Sequence, residues 1–162
     1  MILFGYYYSG LSDCESGVQR VREGMKHLLK AVAAAVLLLL LTLIWDSLFG
    51  TTISRLLLNV DFIIDYTVRK PSFMEEAAYH IITGVIIYLL LMIIYKSHKY
   101  LYLPALIIIL VITCALYYVL TVLAVRPLFE LTQAGAFGWL LTHVIYIVVV
   151  DRWIKHSSTK SQ

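Results

Sequence analysis

The sequence predicts an all-α integral membrane protein: a four-helix transmembrane bundle, N-in/C-in, with an interfacial amphipathic helix between spans one and two. Three observations carry that prediction. Of 162 residues, 61% are hydrophobic and 14% are charged, which is more apolar surface than one soluble core of this size buries, so lipid is the natural solvent. The charged residues gather between long uncharged runs instead of spreading over a solvated surface. The thirteen Lys and Arg are also distributed unevenly between the two sides that those runs define.

The first span is expected over residues 31–50. Ala31 to Trp45 carries no charge and Asp46 lies near the end, a length that crosses roughly 30 Å of hydrocarbon at about 1.5 Å per residue. The second is expected over 77–95, opened by Glu75 and Glu76 and closed by Lys96, and the third over 101–125, closed by Arg126 and Pro127. The fourth, 131–150, contains Gly135, Gly138 and His143 but no full charge before Asp151 and Arg152. Short connections between spans two and three, and between three and four, make these neighbours antiparallel hairpins in a single membrane domain covering 1–162. With this topology Arg20, Arg22, Lys26, Lys30, Lys96, Lys99, Arg152, Lys155 and Lys160 share one side, and Arg55, Arg69, Lys70 and Arg126 the other. The richer side is cytoplasmic by the positive-inside rule.

Two further segments have helical periodicity without the length or purity to span. Over 52–66, Ile53, Leu56, Leu57, Val60, Ile63 and Ile64 recur on one face, with Arg55, Asn59 and Asp65 largely off it. The expectation is an amphipathic helix on the outer membrane surface. Over 16–30, Val18, Val21, Met25, Leu28 and Leu29 alternate with Arg20, Arg22 and Lys26, which suits either the anionic inner leaflet or an extension of the first helix.

Composition also narrows the function classes. No basic face with interleaved aromatics lies outside the apolar runs, so no nucleic-acid partner is expected. Cys14 and Cys114 are too far apart in sequence and setting to suggest a disulfide framework. The opening stretch lacks a basic n-region, and no removable signal peptide is read. Motifs of soluble hydrolases, zinc peptidases and phosphate-binding loops are absent from the sequence, which leans against an enzyme; no metal or other cofactor is expected. The expected partners are the lipid bilayer and a second copy or another membrane protein.

Ionisable groups within spans are costly, and each is a candidate site residue beside its structural alternative. His143 lies about twelve residues into span four, one turn after Trp139 and two after Gly135. It reads either as a proton relay or ligand, or as a neutral ring hydrogen-bonded to a neighbouring helix and locking the bundle. Glu76 and His80, four residues apart, share a helical face near the outer end of span two. Asp46, Arg126 and Glu130 belong to the same outer layer, so Asp46, Glu76, His80, Arg126 and Glu130 form a candidate polar cluster, or else helix ends meeting water and head groups. His80 is expected roughly 5 Å below the outer boundary and His143 roughly 18 Å below it. That difference in depth argues against a haem held between them. Tyr117 and Tyr118, deep in span three, are expected to make interhelical hydrogen bonds. Gly84, Gly135 and Gly138 are expected to permit close helix approach, with spans two and four in contact.

Two fragments, Ala78-Tyr-His-Ile-Ile-Thr-Gly84 and Gly138-Trp-Leu-Leu-Thr-His143, resemble small bacterial YagU-like inner-membrane proteins, a multi-span group without a settled activity. The resemblance covers spans two to four, with His80, Gly84, Trp139 and His143 as the matching positions. It implies a multi-pass protein of the cytoplasmic inner membrane. The reading that follows is an accessory or interaction component without enzymatic activity; the alternatives are a proton- or cation-coupled small transporter or channel, and a membrane-embedded enzyme.

Overall fold

Residues 3–61, 64, 69–124 and 131–159 are described in a computed structural model. They form five helices: α1 (Leu3–Phe49), α2 (Ile53–Leu57), α3 (Phe73–Ser97), α4 (Lys99–Leu123) and α5 (Gln133–Thr159). Four segments, Gly17–Phe49, Phe73–Ser97, Lys99–Leu123 and Gln133–Ser157, are long and apolar enough to cross a membrane. At about 1.5 Å per residue, each exceeds the roughly 30 Å of a hydrocarbon core. The chain divides into two units, Met1–Lys30 and Ala31–Gln162.

In the first unit the 16–30 segment is helical. Val18, Val21, Met25 and Leu29 are exposed, and Lys26 pairs with Glu23 one turn earlier at 2.5 Å.

The second unit is a helical bundle whose core is small against large. Ala34 of α1, Tyr88 and Leu91 of α3, and Val150 and Ile154 of α5 are fully excluded from the surface. The outward faces stay apolar: Ile107, Ile108, Val111 and Ile112 on α4 are each more than half exposed. A soluble monomer would hide such a stripe, and on a spanning helix it is the lipid-facing side. Ser72 starts α3 with a capping box, its hydroxyl accepting from the Glu75 N–H at 3.3 Å while the Glu75 carboxylate accepts from the Ser72 N–H at 2.8 Å. Arg69 adds an ion pair to Glu75. His98 alone joins α3 to α4, so these two helices form a tight antiparallel hairpin.

Cross-helix ties repeatedly end on backbone carbonyls. Trp45 Nε1 donates to Ala134 O at 3.1 Å (α1 to α5), Trp139 Nε1 to Thr113 O at 2.7 Å (α5 to α4), and Tyr146 OH to Gly84 O at 3.2 Å (α5 to α3). A helical carbonyl has a second lone pair, and small side chains leave it reachable, so these bonds cost no ladder hydrogen bond. The Tyr146 tie brings spans two and four together, as expected. Gly84 also meets α1 closely, since a Cβ there would stand 2.7 Å from Ala35 Cβ. Gly135 and Gly138 serve other neighbours than α3: Gly135 faces the Tyr117 hydroxyl and Gly138 the Trp45 indole.

The segment between α1 and α3 departs from expectation. Gly50, with φ of 65°, ends α1 in the left-handed conformation and turns the chain back. Among the described residues of the 52–66 stretch, Ile53–Leu57 alone is helical, and the chain leaves the helix at Leu58. The apolar side of the described part of this stretch is covered by protein instead of resting exposed on the surface. Ile53, Ser54, Leu56, Leu58, Asn59, Val60 and Asp61 are buried, and Ile53 and Leu56 pack with Tyr117 and Trp139. The physical reason lies in Asn59 and Asp61: Asn59 Nδ2 donates to Asp61 Oδ1 at 2.9 Å and the Asp61 N–H to Asn59 Oδ1 at 3.2 Å. That local turn competes with helix propagation and lets both polar side chains be buried.

Candidate functional site

A cavity of about 400 Å³ lies within the second unit. All four long helices, α2 and the chain after it contribute to it: Ala35 and Leu38 from α1, Leu57 from the end of α2, Asn59 and Val60 from the connection, His80, Thr83 and Gly84 from α3, Thr113, Leu116 and Leu120 from α4, and Trp139, His143 and Tyr146 from α5. Most of this wall is apolar, and the polar groups in it are neutral hydroxyl, amide, indole and imidazole groups. The volume is that of a small-molecule site, where a few placed polar groups orient an otherwise apolar ligand.

Both intramembrane histidines line this one cavity. The difference in depth read from the sequence does not separate them, because the cavity runs along the bundle and is lined at several levels. Their hydrogen bonds are exchanged relative to expectation. His143, expected to lock the bundle, bonds within its own helix, Nδ1 to Trp139 O at 2.7 Å. His80, expected in an outer polar cluster, is the ring that reaches a neighbouring helix, Nε2 to Ala35 O at 3.1 Å. The small side chain of Ala35 and the proximity of Gly84 leave that carbonyl open to it. Locking across helices falls instead to Trp139, through Thr113 O. A carbonyl only accepts, so the bonded nitrogen of each ring carries the hydrogen, and in the neutral ring the other nitrogen presents a lone pair.

Asp46 lies elsewhere. Its Oδ1 accepts from the Thr51 hydroxyl at 2.5 Å and the Ile53 N–H at 2.9 Å, and its Oδ2 from the Ser54 N–H at 2.8 Å. Ile53 and Ser54 open α2, whose first N–H groups have no intrahelical partner. Asp46 therefore caps α2 from the end of α1. Glu76 is half-buried and is not among the residues lining the cavity. Arg126 and Glu130 lie outside the described residues. Of the described members of the outer cluster, Asp46, Glu76 and His80, His80 alone lines the cavity. Among the described residues no group of three or more His, Cys, Asp or Glu is placed to hold a metal ion.

Sequence reasoning passed over several wall residues. Thr83 follows His80 by three positions and Tyr146 follows His143 by three, so helical spacing already places them on the histidine faces. Asn59 had no comparable signal, since the turn that buries it depends on tertiary packing. Tyr117, expected to bond between helices, donates to Thr132 O at 3.3 Å, whereas Tyr118 is 56% exposed and points away from the bundle.

Compared with known proteins, the chain matches no family model, no curated protein and no solved structure.

Proposed function

We propose that this chain is an accessory binding component of the membrane, with both ends cytoplasmic, which holds a lipophilic small molecule in the cavity between its helices and carries out no chemistry on it. The observation that carries the reading is the lining of that cavity: two imidazoles with a lone pair each, set with a few neutral polar groups in a mostly apolar wall. Binding is favoured over proton or cation transport because the described lining holds no carboxylate to pass a proton or balance a cation. The likeness of the Ala78–Gly84 and Gly138–His143 fragments to YagU-like proteins supports placement in a bacterial inner membrane. The distribution of Lys and Arg supports the orientation.

The test of binding uses Trp139, which lines the cavity. In a variant with Trp45 and Trp153 changed to Phe, 1-bromododecane in detergent micelles should quench Trp139 saturably. Changing Leu116 and Ile147 to Phe, which fills the cavity, should return quenching to the unsaturable dependence of a quencher dissolved in the micelle. Unsaturable quenching in both proteins would exclude the reading. For orientation, a cysteine at position 70 in a Cys14→Ser/Cys114→Ser background should react with an impermeant thiol reagent in intact cells, and one at position 99 should not.

A further inference from the structure

The hydrogen-bond polarity of the cavity wall specifies its occupant more narrowly than its volume does. The Thr83 hydroxyl donates to Tyr79 O at 2.9 Å, the Thr113 hydroxyl to Ile109 O at 2.7 Å, and the Tyr146 hydroxyl to Gly84 O at 3.2 Å. The indole of Trp139 and one nitrogen of each histidine are likewise turned to carbonyls. These six side chains have engaged their hydrogens with backbone, and the three hydroxyls and two imidazoles, though not the indole, retain acceptor capacity. His143 is the pivotal one. It is 4% exposed as a residue, and its Nε2, to which no donor is turned among the described residues, opens on the cavity as an acceptor. Such a group costs free energy unless something in the cavity satisfies it. The hydrogens left over are one on the Asn59 amide and the hydroxyl of Tyr79, which is 41% exposed.

The way in is also visible. Among the lining residues Tyr79, Thr83, Val119 and Leu123 are exposed, and those from α1, α5 and the α2 connection are buried or half-buried. Tyr79 and Thr83 begin α3, and Val119 and Leu123 end its antiparallel neighbour α4, so the mouth lies between these two helices on an apolar flank. A ligand entering there comes from the bilayer. A charged head has no opposite charge among the lining residues, so entering unpaired would cost it its hydration without a compensating ion pair.

We infer that the occupant is an uncharged lipid-soluble alcohol, whose hydroxyl donates to the histidine-lined wall while its apolar body fills the rest and leaves between α3 and α4. At about 30 Å³ per water-sized group, the cavity has room for roughly a dozen heavy atoms. This inference rests on the binding reading above and adds the chemical class of the ligand.

The test displaces 1-bromododecane from the single-tryptophan protein with 1-dodecanol, its methyl ether, dodecanoate or dodecylammonium. Dodecanol should displace the probe at about one tenth the mole fraction the ether needs, and both ions should be weaker than the alcohol. In His143→Phe the alcohol should lose that tenfold advantage while the ether binds as before, which also shows that the variant is folded. Equal binding of alcohol and ether to the unaltered cavity would overturn the alcohol assignment and leave lipophile binding standing. Preferential binding of either ion would overturn the requirement for a neutral head. An advantage that survives in both His143→Phe and His80→Phe would overturn the role of the histidines. Absence of saturable bromododecane quenching would remove the binding reading itself. Thr83→Phe/Val119→Phe, which narrows the mouth, should slow association of dodecanol about tenfold, and an unchanged rate would overturn the lateral route.

Discussion

At the corner between α1 and α2, one carboxylate accepts three hydrogen bonds, from the Thr51 hydroxyl and the backbone N–H groups of Ile53 and Ser54. In the cavity, two imidazoles each donate one bond to a carbonyl and keep a lone pair. Asp46 and His143 are both polar groups in strongly apolar helices, yet the fold saturates the first and leaves the second with spare capacity. Saturation marks a group that holds structure together, because removing it orphans the donors that it served. Spare capacity in a buried, roomy place marks a group whose partner comes from elsewhere.

The contrast is testable by substitution, and the largest effect belongs to the saturated corner. Asp46→Ala leaves two backbone N–H groups of α2 without their acceptor and should destabilise the protein by about 3 kcal/mol. A melting curve in detergent measures this, and a loss under about 0.5 kcal/mol, the range of an ordinary surface change, would erase the distinction. Next is Gly84→Val, which forces a side chain into the space 2.7 Å from Ala35 Cβ and should cost about 2 kcal/mol by overpacking. Trp139→Phe keeps an aromatic ring, though a smaller one, but loses the donor to Thr113 O and should cost at least about 1 kcal/mol. The smallest effect is expected at the group with spare capacity: His143→Phe should change stability by less than about 0.5 kcal/mol, since Trp139 O keeps its helical bond from the residue 143 N–H. If instead His143→Phe melts far below Asp46→Ala, the ring is the structural lock and the corner is incidental.

The spans were legible because a run of about twenty apolar residues states its solvent without reference to anything else in the fold. The limits of α3 were legible too, since Ser72 with Glu75 is a local capping pattern. The segment after span one was misread for a complementary reason. The periodicity of Ile53, Leu56, Leu57 and Val60 identifies an apolar face but not what covers it, and here protein does, through Tyr117 and Trp139. The histidines show the same limit at the scale of one side chain. Both were identified as candidates, but which carbonyl each would meet was not encoded near either. His80 reaches α1 because Ala35 and Gly84 let the backbones approach, a fact distributed over two helices 45 residues apart in sequence.

The sequence by itself therefore determined the solvent of this protein, its four apolar helices and the few residues costly enough to warrant attention, because length, hydropathy and charge are properties of contiguous chain. Only the tertiary structure decided that His80 and His143 share one cavity, that Asp46 is a cap, and that α2 is covered. Those outcomes depend on which carbonyls stay reachable once small residues bring helix backbones together, and hydrogen-bond geometry of that kind exists only between elements.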